Sequence, residues 1–281
     1  MKSVIKGFLA LSAMTLCCTV ASTLFNSCAN NDSQEIEDAS HAREFLGFCR
    51  SNCTEYMTAD VISKDVTTKG GITRAVLTPQ KDLVPLYITI PEEAGMSNEE
   101  CVKKLDEAES VKDILILAEE IGIEYSTEYK KNCNYALQLS ESKAKESLNP
   151  LVNQSKQYLY SKGFTDKEIE EMLQENNVDE TELVPFVMRL STLENSAQNM
   201  ASLHQRKLGV FSLLATPAYA QAGDCAMKAL GADFLFGVSG SSLKTWGKAA
   251  IKKAFKSVAK KMLGPIGALI AVVEFSYCMW G

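Results

Sequence analysis

The chain has 281 residues, 46% of them hydrophobic and 23% charged, with a net charge of −6. That length suits one medium domain or two small ones. The composition excludes a disordered chain, and the acidic balance excludes nucleic acid as a partner of the whole chain.

The N-terminus predicts export. Lys2 and Lys6 form a basic start, Gly7 to Phe25 carries no charge, and polar residues follow from Ala29 to Ser33. A basic start, an apolar run and a small-residue exit define an export signal. The run is also near the length of a membrane span, about 20 residues, so an uncleaved anchor is the competing reading. Ser27-Cys28 at its end resembles the lipobox of bacterial lipoproteins, in a looser, Bacteroidota-like form that departs from the usual pattern at Phe25 and Asn26. The resemblance implies that Cys28 is acylated and becomes the first residue. Membrane lipid would then hold the chain in the cell envelope, on a periplasmic or surface face. Cleavage after Ala29 without lipidation would free it instead. Residues 28–38 are polar and acidic, as a tether is.

From Ala39 to Met57 the spacing is helical, with Phe45, Leu46, Cys49, Cys53 and Met57 on one face. Lys69-Gly70-Gly71 breaks the chain, and Val84 to Ile90 reads as a strand bounded by Pro91. A strand needs a partner, which the region of Val76 would supply. From Ser97 onward helices follow. Ser97 with Glu100 and Thr165 with Glu168 have the spacing of capping boxes, and Phe164 with Ile169 that of a hydrophobic staple. Asp179 starts a further helix through Leu183, Phe186, Val187 and Leu190, with Pro185 either kinking its first turns or marking a later start. Gly163 and Asn176-Asn177 mark the turns.

Near residue 207 the character changes. Arg206-Lys207 precedes a short apolar run and two Ala-x-Ala triplets ending at Ala220 and Ala222. That order mimics a second signal exit, which makes Ala220 and Ala222 candidate processing positions. The competing reading is a short buried helix with an alanine-rich linker. Charge divides here too: residues 223–281 sum to +5 and residues 28–222 to −13. The chain thus falls into an export signal (1–27), a tether (28–38), an acidic, mostly helical domain (39–207), a linker (208–222) and a basic amphipathic plus apolar helical segment (223–281).

Beyond Cys28 six cysteines remain: Cys49, Cys53, Cys101, Cys133, Cys225 and Cys278. In an oxidising compartment all six are disulfide candidates. Cys225 and Cys278 bracket the last segment and are the favoured pair; closing their loop would contribute roughly 4 kcal/mol. Cys49 and Cys53 are one turn apart, which fits neither a redox pair nor a zinc site and favours core packing.

Leu243 to Leu263 places Trp246, Ile251, Phe255 and Val258 on one helical arc. Lys248, Lys252, Lys253, Lys256 and Lys260 fill the opposite arc. Lysines four apart repel each other, so the face calls for an anionic counter-surface, either lipid or the acidic part of the same chain. Gly264-Pro265 then interrupts the helix, and Ile266 to Trp280 is apolar all round except for Glu274. The layout of cationic helix, Gly-Pro hinge and apolar helix resembles some antimicrobial peptides and helical bacteriocins. That resemblance implies membrane contact through Trp246, the lysine row and Phe255. The alternative is a helical hairpin packed as a core.

No catalytic set is predicted, and no metal or cofactor site. His41 and His204 lack ligand-spaced neighbours, and Gly237-Val238-Ser239-Gly240 is not a nucleophile elbow. The expected fold is mainly α: a helical bundle with at most a small β-hairpin, plus a C-terminal helical hairpin. The expected function is that of an exported, lipid-anchored, non-enzymatic envelope protein. A bacteriocin-like toxin precursor is the alternative.

Overall fold

A computed structural model describes residues 32–63, 81–92, 95–205, 225, 247–259 and 264–280. The fold is mainly α with a small antiparallel sheet. Helices α1 (Asp32–Ser51) and α2 (Cys53–Met57) lead into strand β1 (Ile62–Ser63). Strand β2 (Leu83–Thr89) precedes α3 (Asn98–Glu107) and α4 (Val111–Ile121). Strands β3 (Glu124–Ser126) and β4 (Tyr135–Ser140) come next. They are followed by α5 (Glu141–Ser161), α6 (Asp166–Asn176), a 3₁₀ turn at Glu180–Glu182 and α7 (Leu183–Gln205). Helices α8 (Lys248–Ala259) and α9 (Gly264–Trp280) complete the described chain.

The helix starts follow their local chemistry. Ser97 and Glu100 form a capping box on α3, and Thr165 and Glu168 form one on α6. A third, Ser110 with Asp113, starts α4, with Asp in place of the usual Glu or Gln. Gly163 and Asn177 take left-handed backbones, φ 81° and 53°, at the ends of α5 and α6. Asp179 caps the 3₁₀ turn by accepting from the Thr181 amide. Pro185 then falls in the first turn of α7, where no intrahelical donor is lost.

The β component has four strands in the order β1-β4-β2-β3, more than one hairpin. Strand β2 pairs with β4 from Leu83↔Ser140 to Ile88↔Tyr135, and with β3 from Tyr87↔Ser126 to Thr89↔Glu124. Val76, the expected partner, lies outside the described residues. Strand β4 is short, and its polar positions Gln138 and Ser140, which alternate with Leu137 and Leu139, are buried as well, so the sequence alone does not single it out. Leu86, Ile88, Leu137 and Leu139 join the main core, while Tyr87 and Ala136 form a separate small cluster.

One core runs from Ala42 on α1 to Phe275 on α9. Helix α9 lies against α1, α2, α4, α5, α7 and the 3₁₀ turn, and α8 lies against α6. Described parts of 39–207 and 223–281 therefore share an interior. A chain ending at residue 263 should lose its cooperative denaturant transition. A transition left intact in that truncated chain, read by far-UV circular dichroism, would show that the last helix is dispensable.

Candidate functional site

Helix α8 uses its apolar arc inwardly. Ile251, Ala254, Phe255 and Ala259 are buried, and the Phe255 ring meets Phe186 of α7 edge-on at 5.0 Å. Phe255, expected at a membrane or partner, is a core residue instead, because α6 and α7 supply the apolar surface that lipid would have supplied. Its lysines divide. Lys248 places Nζ 3.0 and 2.8 Å from the two Glu168 oxygens. Glu168 also accepts from the Thr165 amide and hydroxyl, so one carboxylate caps α6 and clasps α8. The Lys248 contact and the Thr165 amide hold its pKa down, to about 2. Lys248 and Lys252 stand over the Phe164 ring at 5.8 and 6.0 Å. Lys253 and Lys256 are exposed. Trp246 and Lys260 lie outside the described residues, as do Cys28, Ala220 and Ala222.

Helix α9 is fixed at both ends. Cys225 and Cys278 sulfurs stand at 2.03 Å, a disulfide to its last turn. The other four candidates are free thiols. Cys133 packs beside Tyr87 and Ala136, away from the main core that holds Cys49 and Cys101. Burial pushes the Cys49 and Cys101 thiols above their ordinary value, which makes them inert packing groups. At the other end, buried Glu182 accepts from the Gly264 amide at 3.1 Å. Its second oxygen is buried without a hydrogen-bond partner. Burial raises the Glu182 pKa to about 7, and the Asp179 charge adds to the rise.

Other buried charges sit along α7. Lys162 and Glu194 pair at 2.7 Å, with side chains 3% and 9% exposed. Arg189 is buried, and desolvation lowers its pKa to about 10. Little in the sequence marks this set. Its one visible signal is a single arginine inside the apolar run Leu183 to Leu190. His41 sits 3.6 Å from Glu44 on α1.

A groove opens between α4 and α9. Leu115, Ala118 and Glu119 face Glu274, Tyr277 and Cys278, and Tyr125 of β3 also lines it, around a cavity of about 170 Å³. Tyr125 donates to Glu274, and Tyr277 to Glu119. Burial, then the Glu274 charge, pushes the Tyr125 phenol far above its ordinary value, so it stays a neutral donor. Among the described residues no group of three or more His, Cys, Asp or Glu could hold a metal, and no helix is long and apolar enough to cross a membrane.

Phe255→Ala should cost about 3–5 kcal/mol in urea unfolding. A loss below about 1 kcal/mol would mean that α8 is not part of the core. The two carboxylates predict opposite pH effects. The folded pKa of Glu182 lies above its ordinary 4.5, so its contribution is full below 4.5 and lost as pH rises to about 7. That loss is on the order of 3 kcal/mol, and Glu182→Gln should abolish it. Glu168 is depressed, so its contribution is present above 4.5 and lost as pH falls toward about 2. Lys248→Met should shrink that acid loss. Unfolding curves across pH 2 to 8 check both.

No protein-family model, no curated protein and no solved structure matches the chain.

Proposed function

We propose that this chain is an exported, lipid-anchored, non-enzymatic envelope protein whose C-terminal helices pack internally against its own acidic part. The observation that carries the reading is the inward apolar face of α8, with Phe255 buried and Lys248 clasped by Glu168. The counter-surface that the lysine row calls for is in part the acidic helix α6. The bonded pair Cys225–Cys278 fits an oxidising compartment. The apolar run ending at Ser27-Cys28 supplies the route there and the acylation position. A toxin precursor cut at Ala220 or Ala222 would surrender α9, the helix around which the core closes, and leave its carrier unable to fold.

Intact-mass spectrometry of the protein from its native membranes tests this. The expected species starts at Cys28, carries acyl chains and runs to Gly281. Cys28→Ala should move the protein out of the membrane fraction. Unchanged membrane retention would overturn the lipid anchor, and a secreted fragment starting near Gly223 would overturn internal packing.

A further inference from the structure

We infer that Cys278 is a thiol–disulfide exchange site, through which a protein dithiol opens the Cys225–Cys278 bond. The inference goes beyond the envelope reading and does not depend on acylation at Cys28. The two sulfurs of the bond stand in different surroundings. Cys225 is 1% exposed and belongs to the main core. Cys278 is partly buried and lines the open groove between α4 and α9. Exchange needs access to the sulfur under attack. The groove supplies that access at Cys278, and the core withholds it at Cys225. Disulfides with an accessible sulfur are the labile and regulatory ones, whereas enclosed structural bonds resist reduction.

The same asymmetry sets the class of partner. When an incoming thiolate bonds to the Cys278 sulfur, the Cys225–Cys278 bond breaks. Its electron pair leaves on Cys225, which takes up a proton; an apolar interior favours that neutral thiol. Cys225 remains in the core beside the mixed disulfide, and α9 remains packed through Val272 and Phe275. Return attack by Cys225 is therefore intramolecular, with the advantage of a high effective concentration. A monothiol is expelled by it. A dithiol escapes, because its second thiolate attacks its own sulfur in the mixed disulfide. Cys278 then leaves with the electron pair and takes up a proton. The partner dithiol has become a disulfide, losing two electrons, and Cys225 and Cys278 have become thiols. In reverse, the same mixed disulfide at Cys278 installs the bond. The structural effect of opening is local. Glu182 still fastens the start of α9 at the Gly264 amide. Its last turn, with the partly buried Tyr277 and Trp280, loses its covalent tie.

Two measurements on the full chain test this. Cys225→Ala and Cys278→Ala variants are treated with glutathione disulfide under native conditions, and each cysteine is followed by peptide mass spectrometry. Cys278 in the first variant should be modified at least about tenfold faster than Cys225 in the second. On the unaltered oxidised chain, reduced thioredoxin should open the bond with the far-UV circular dichroism kept and the melting temperature lowered. Glutathione at the same thiol concentration should open at least about tenfold less of it. Should either variant fail to fold, the comparison of thioredoxin with glutathione decides alone. Equal or faster modification of Cys225 in folded variants, no opening by thioredoxin without denaturant, or equal opening by glutathione would overturn the inference.

Discussion

Helix α9 carries one charge, Glu274, in seventeen residues. A helix of that composition is stable in water only when other elements surround it. Here α1, α2, α4, α5, α7 and the 3₁₀ turn do so, and Ile266, Leu269, Val272, Val273 and Phe275 become the centre of the interior. Each fully buried side chain of this size contributes about 1.5–3 kcal/mol. The remaining elements are arranged so that this burial is possible. The sheet turns Leu86, Ile88, Leu137 and Leu139 into the same core, while α8 closes over α6 and α7.

Burying a helix end exposes the second constraint. The first amides of a helix have no intrahelical acceptor. At Gly264 the missing acceptor is the carboxylate of Glu182, itself enclosed. Desolvation and the nearby Asp179 oppose its charge, and the hydrogen bond from Gly264 favours it. The far end is held by a covalent bond, Cys225 to Cys278, which limits the unfolded chain and is insensitive to pH across that range. Helix α9 is thus fastened by one contact that responds to protons and one that does not.

The groove beside α9 follows from the same geometry. Helix α9 must pass α4 to reach the core, and Glu274 is the position where its apolar surface gives way to a carboxylate. Tyr125 satisfies that carboxylate from an edge strand only three residues long.

Local signals were legible in the chain alone. The capping boxes at Ser97 and Thr165, the turns at Gly163 and Asn177, the strand at Val84 and the amphipathic character of α8 each depend on residues within a few positions of one another. Pairing across long separations was not. Strand β4 and its partner β2 lie about fifty residues apart, and only their pairing buries the polar face of Gln138 and Ser140. Whether Phe255 met lipid or protein depended on Phe186, far away in sequence. Glu182, Lys162 and Glu194 look like solvent-facing charges until neighbouring helices enclose them. Sequence determined the local starts, stops and faces, because those are set by backbone and side-chain chemistry within one or two turns. Tertiary structure decided which surface each face would meet, because that choice belongs to segments brought together only when the apolar helix α9 is covered.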